Sequence, residues 1–351
     1  MKIGLVLPGN IWFSPYVKIY TDILDRKNIN YEIISWNRDG SDPESATAFN
    51  THIIAQNRLN KLLPYFNYIK FIKRTITKNK YDKIIVFGPQ LGILLFYFLK
   101  KYYRKKFILD YRDLSIEQLP GLKIIFKKLL SLSGLNVISS LGFKNYLPQS
   151  DYLISHNLNF ENFSKQESSK DIFQKESINI LTIGSIRDYE SNLEVIKSLG
   201  NKPNINLYFV GKGDVSALLE DYVNQNEIKN VIFHGFYQKF EEEKFIKAAD
   251  FLNIYYPRIK SHKSAMSNRF YNSLLYKRPM IVTNDSIQGD FVEKYNLGIS
   301  LENCDHLNDE ILEFKKNFNF KNFDFSADEL LNFFQEDYLY FRNKINAFLI
   351  D

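Results

Sequence analysis

Residues 264–283 read SAMSNRFYNSLLYKRPMIVT, and the first half of this stretch holds residue types that bind phosphate. Ser264 and Ser267 are suited to cap a helix, with Ala265, Met266 and Asn268 around its opening turn. The unpaired amides and positive dipole end of such a terminus attract phosphate oxygens. Arg258, Lys260, Lys263 and Arg269 crowd the same place. Phe270, Tyr271, Leu274 and Leu275 recur at four-residue spacing and predict one apolar stripe, with Asn268 and Asn272 a turn apart beside it. Pro279 ends the helix before an apolar strand. An ordinary amphipathic helix behind a solvated basic loop is the plainer alternative.

Other segments offer chemistry at strand ends. Gly184-Ser185-Ile186-Arg187 joins a glycine turn, which lets the backbone approach a ligand, to a guanidinium able to hold two oxygens of a diphosphate. Gly211-Lys212-Gly213 lacks the third glycine of a dinucleotide fingerprint. Gly235, Phe236 and Tyr237 offer backbone groups and aromatic faces for a nucleobase. Nearer the start, Gly9 permits a tight turn after the first strand. Asp113 and Glu117 follow a strand ending in Asp110 and are candidates for a general base or for orienting a hydroxyl. Arg112 can pair with phosphate or with its aspartate neighbours, and the ion pair is favoured. His156 reads as a hydrogen-bonding residue before it reads as a catalyst.

These segments must be positioned by strands and helices in alternation. Apolar runs at residues 2–8, 31–35, 83–87, 106–110, 136–139 and 152–154 are separated by helical patterns, and a second series follows at 178–183, 206–210, 231–233, 251–255 and 280–282. This alternation predicts an α/β protein with two Rossmann-like, doubly wound domains facing a cleft. Residues 1–160 form the first domain, the polar stretch 161–177 a linker, 178–325 the second domain, and 326–351 a helix returning to the first. Ligands of such sheets sit beyond the carboxyl ends of the strands.

Composition narrows the classes. The chain has 351 residues and a single cysteine, Cys304, which excludes a disulfide framework or a cysteine-based zinc cluster and fits a reducing compartment. No secretory signal or membrane span is predicted, because the most apolar run is interrupted by Gly88-Pro89-Gln90. Residues 1–170 hold 25 Lys and Arg against 13 Asp and Glu, whereas the remainder holds 21 against 27. The excess lies in stretches 62–80, 96–106 and 122–130, which mix aliphatic and aromatic residues with lysine. Helices on an anionic membrane surface have this composition, and so does a solvated basic face. No nucleic-acid-binding motif accompanies the charge, so no nucleic-acid partner is expected.

The order INILTIGSIR, LYFVGKGD, NVIFHGFY, ADFLNIYYP and SNRFYNSLLYKRPMIVT resembles the donor domain of GT-B glycosyltransferases of the family 4 (group 1) type. The first domain resembles their acceptor domain more loosely, through its glycine turn, LDYRDL and ISHN. The resemblance implies a glycosyltransferase that carries a sugar from a nucleotide-diphosphate donor to a saccharide or lipid-diphosphate-linked acceptor. The donor would be a UDP-sugar by preference or a GDP-sugar, and no metal or other cofactor would be required. Capsule, O-antigen or exopolysaccharide synthesis at the inner face of the membrane is the implied setting, with the protein cytoplasmic and peripheral.

By the resemblance, Arg187 binds the diphosphate, Ser264 to Ser267 supply amides beneath it, and residues 235–237 border the base; Gly9, Gly184 and Gly211 lie in the ligand loops. Lys263 joins Arg187 as a cation for the leaving group, and Asp113 or Glu117 is the base if the reaction inverts. The chain departs from the family's Glu-x7-Glu pattern, with Ser264 and Asn272 in the two positions, and no lysine follows Arg187 within its loop. Retention and inversion stay open. An NDP-sugar epimerase of the same fold and a non-catalytic nucleotide-sugar- or polysaccharide-binding protein are the alternatives.

Overall fold

A computed structural model describes residues 1–43, 46–50, 62–158, 160, 173 and 176–350. The chain divides into two compact units, Met1–Asn159 with Glu336–Asp351, and Phe160–Gln335. Most of the stretch read as a linker falls outside the described residues. The last helix, Phe320–Ile350, begins before residue 326 and contributes to both units.

The first unit holds a seven-stranded sheet. Its strands are β1 (Lys2–Val6), β2 (Asn30–Asn37), β3 (Thr47–Asn50), β4 (Lys83–Phe87), β5 (Phe107–Tyr111), β6 (Leu135–Ile138) and β7 (Tyr152–Ile154). The second unit holds a six-stranded sheet. Its strands are β8 (Ile178–Ile183), β9 (Ile205–Val210), β10 (Val231–Gly235), β11 (Phe251–Ile254), β12 (Met280–Thr283) and β13 (Gly298–Leu301). Every pairing is parallel.

The strand orders are β3-β2-β1-β4-β5-β6-β7 and β10-β9-β8-β11-β12-β13. In both units the winding reverses between neighbours, β1 with β4 and β8 with β11. At such a reversal the following loops run to opposite faces and leave a crevice for ligand. The central strands are buried on both faces, as KIIVF in β4 and INLYFV in β9 show. Continuous apolar runs are the sequence mark of that environment. The edge strands β3 and β13 carry half-exposed residues and no such run, so the sequence pattern does not predict them. The core of the second unit gathers Phe209, Phe251, Ile196 and Ile281. Among the described residues, no helix is long and apolar enough to cross a membrane.

Candidate functional site

In the second unit, a cavity of about 420 Å³ lies against the ends of β8 and β11 and the start of helix Asn268–Leu275. Gly184 follows β8 with φ +97°, a conformation that strains any side chain, and an added Cβ would meet nothing within 4 Å. Arg187 is exposed on the rim and donates through Nε to Ser185 Oγ at 2.9 Å. The Asn192 amide fixes this loop by donating to the carbonyls of Arg187 at 2.5 Å and Asp188 at 3.0 Å.

The opposite wall is the helix terminus. Ser267 caps it: its hydroxyl accepts from the Phe270 amide at 3.2 Å. Its own amide and hydroxyl donate to Gln288 Oε1 at 3.0 and 2.7 Å, which locks the cap. Phe270, Tyr271 and Leu274 are buried, so the predicted stripe anchors the helix and turns Asn268 and Asn272 toward the cavity. Arg269 is also buried there. It donates through Nε to Ile183 O at 2.6 Å, through Nη2 to Ser185 O at 3.1 Å and through Nη1 to Asn253 O at 3.3 Å.

The structure therefore brings Gly184, Arg187, Tyr237, Ala265, Ser267, Asn268 and Asn272 to one cavity and leaves other candidates outside it. Ser264 is 1% exposed and donates to the Lys260 carbonyl, as a hydroxyl inside a helical turn does. Met266, Gly235 and Phe236 do not line the cavity, and Phe236 points its ring into solvent. Lys263 is paired with Asp285 and holds that exposed carboxyl below its ordinary pKa. Gly211 serves packing: a Cβ there would sit 2.0 Å from the Gly184 carbonyl oxygen, and one at Gly213 would sit 2.0 Å from that of Ile186.

The sequence reading missed several residues of the cavity. Gln288 enters from the helix after β12 and carries no sequence signal. Tyr256 and His262 stack at 5.1 Å, and His262 Nε2 lies 3.5 Å from Asp188 Oδ1. Glu242 accepts from the Tyr237 hydroxyl at 2.9 Å and pairs with Lys239. Burial first, and then Glu242, raises the Tyr237 pKa, so this hydroxyl stays a neutral donor. Carboxylates thus reach the cavity from Asp188 and Glu242, on other elements than the helix where the family pattern places them. Among the described residues, no group of three or more metal-ligating side chains is placed to hold a metal.

The candidates of the first unit are mostly tied into its interior. Arg112 forks onto Asp110, with Nε to Oδ1 at 2.5 Å and Nη2 to Oδ2 at 2.7 Å. It also donates to Ser155 O at 2.9 Å and stands 4.6 Å from the Tyr16 ring centroid. Burial opposes its charge and Asp110 outweighs that, so its pKa lies above the ordinary value. The Tyr20 hydroxyl donates to Asp110 at 2.6 Å and completes the carboxylate's shell. His156 meets Asp337 at 3.0 Å, and burial holds its pKa below the ordinary value despite that partner.

Glu117, expected as a base, is 1% exposed in the short turn Ile116–Gln118. It accepts from the Tyr111 hydroxyl at 2.5 Å and the Ser115 amide at 2.9 Å, so it braces the loop and presents no carboxylate at the surface. Asp113 is exposed, and its carboxylate accepts from the Leu114 amide at 2.8 Å. Gly9 follows β1 in the turn whose next residue, Asn10, donates to Asn37 at 2.9 Å and Asp39 at 2.6 Å.

No family model matches the sequence, and no curated protein matches it. Solved structures do match. The sucrose-phosphate synthase of Thermosynechococcus elongatus superposes with a TM-score of 0.75 at 14% identity, covering 100% of this chain and 99% of that one. Anabaena HepE, solved with UDP, gives 0.68 at 13% identity, with 99% of each chain covered. WaaG, a glycosyltransferase of lipopolysaccharide biosynthesis, gives 0.65 at 11% identity, again with 99% of each chain covered. Likeness over the whole length at such low identity is a statement about architecture: this chain has the GT-B fold, built of two parallel-sheet α/β domains.

Proposed function

We propose that this protein is a family 4-like glycosyltransferase that takes its sugar from a nucleotide-diphosphate donor held in the second unit. The observation that carries the reading is the cavity at the β8/β11 reversal, where a capped helix terminus and Arg187 face the same space. That is the chemistry a diphosphate needs. The solved HepE complexes with UDP and with UDP-glucose support a UDP-sugar as the donor, and a GDP-sugar is the second choice. Tyr237 and Asn272 line the same cavity and suit the nucleoside. Asn272 both donates and accepts, so a ribose hydroxyl can be met without a carboxylate.

In the reaction, the acceptor oxygen bonds to the anomeric carbon as the bond from that carbon to the diphosphate breaks. The electron pair stays on the departing oxygen, where preorganised cations and amides stabilise it. The acceptor's proton leaves to a base. If the reaction inverts, Asp113 is an exposed carboxylate of the first unit for that role, with Glu117 holding the loop behind it. No metal or other cofactor is part of this reading. The acceptor is a saccharide, lipid-linked, in capsule, O-antigen or exopolysaccharide assembly.

Tyr97, Tyr102 and Ile124 stand exposed on the helices Phe96–Tyr102 and Leu122–Leu132 among their lysines, and this supports a peripheral site on an anionic membrane. Binding to vesicles of anionic phospholipid is expected to weaken as salt rises; a salt-independent signal removes the membrane reading.

The replacement of the family's two carboxylates by Ser264 and Asn272 favours one second reading, a binding protein without turnover. Metal-free calorimetry with UDP and GDP, followed by hydrolysis and transfer assays with the matching sugar nucleotides, decides among these. Tight binding with transfer supports the enzyme, tight binding without turnover the binding protein, and no binding overturns both. Turnover of the free sugar nucleotide without an acceptor would instead point to an epimerase.

A further inference from the structure

Arg269 is 8% exposed, yet it lines the cavity. Its hydrogen bonds go to the carbonyls of Ile183, Ser185 and Asn253, all neutral acceptors. Among the described residues no carboxylate is paired with it. The cavity's own carboxylates are engaged elsewhere, Glu242 with Tyr237 and Lys239, and Asp188 with His262. A guanidinium removed from water without a counter-ion is costly, and the cost is offset when an anion arrives. Three of its donors are spent on fixing its place, which leaves the remaining N–H groups for a ligand.

Its location adds a second argument. Ile183 closes β8 and Asn253 lies in β11, the two strands between which the winding reverses. Arg269 thus spans the floor of the crevice in which ligands of such sheets bind. The loop after β8 supplies Arg187 and then Asp188 and Glu190, with no lysine. Lys263, the cation expected to help, is committed to Asp285. A diphosphate carries more than one negative charge, and Arg269 is the buried cation that lines the cavity.

We propose that Arg269 is the second cation of the donor site, binding the diphosphate from below while Arg187 holds it from the rim. The inference rests on the donor-site reading above and extends it to a residue outside the family pattern. Because three main-chain carbonyls fix the fork, Arg269 contributes geometry as well as charge, and lysine is not its equivalent.

The test compares UDP, UMP and uridine by calorimetry on the unaltered protein, Arg269→Met and Arg269→Lys, with GDP, GMP and guanosine as the parallel series. For Arg269→Met the expected result is a loss of about 10- to 100-fold for the diphosphate and less than about threefold for the nucleoside. Arg269→Lys keeps the charge and should lose about tenfold for the diphosphate with the nucleoside unchanged; it carries the test alone if the methionine variant does not fold. Equal weakening of diphosphate and nucleoside would show a merely structural arginine and overturn the inference, as would no change in either. If the unaltered protein binds neither UDP nor GDP, the donor-site reading itself fails and this inference falls with it.

Discussion

Arg112 and Arg269 are both withdrawn from solvent at the carboxyl end of a parallel sheet, and they differ in what faces them. Arg112 has a carboxylate on its fork, a tyrosine on that carboxylate and a serine carbonyl behind. Its charge is closed within the unit. Arg269 is held by carbonyl dipoles and borders a cavity of about 420 Å³. Where the protein supplies the counter-ion, the arginine is a strut; where it supplies carbonyl dipoles and the Tyr256 ring, 5.6 Å from the guanidinium, an anion from outside is the counter-ion we propose. The residue type alone does not separate these roles, and the partner does.

The comparison can be broken most sharply at Asp110. Asp110→Asn keeps the shape and removes the charge, which leaves Arg112 buried without a counter-ion, and a loss of about 3–5 kcal/mol in denaturant unfolding of the first unit is expected. A variant that unfolds like the parent would show that the carboxylate is not what makes Arg112 structural. A smaller effect is expected at His156, beside the same network. Its folded-state pKa lies below the ordinary value because of burial, so the unfolded chain takes up the proton first. Its contribution is therefore complete above about pH 6.5 and shrinks as pH falls from there toward the folded pKa. His156→Gln should flatten the melting temperature over that window; an unchanged slope would mean that other groups set it.

Much of the fold was legible because parallel strands buried on both faces leave continuous apolar runs, as in residues 83–87 and 205–210. The edge strands β3 and β13 were not, since they carry half-exposed residues and no such run, whereas the edge strands β7 and β10 were legible as short apolar runs at 152–154 and 231–233. In the site, Arg187 and the helix opening at Ser267 could be read because glycine turns and capping serines are local signals. Arg269 could not be separated from Arg258, Lys260 and Lys263, because all four are basic residues in one short stretch and only burial distinguishes them. Glu117 was misread for a similar reason. A carboxylate after a strand looks available until the turn Ile116–Gln118 folds it back onto the Tyr111 hydroxyl. Gln288 comes from the next helix, 21 residues along the chain, and its bond to the Ser267 cap has no local trace.

The close passage of the loop after β9 over the loop after β8 has a consequence for comparing this chain with others of the same fold. Positions 211 and 213 leave no room for a Cβ, since the Gly184 and Ile186 carbonyl oxygens would lie 2.0 Å away. Any sequence that keeps this backbone spacing must keep glycine at both, whatever nucleotide it binds and even if it binds none. A G-x-G preserved here in an alignment is a record of how two loops stack, and scoring it as a nucleotide fingerprint would mistake a spacing constraint for a ligand.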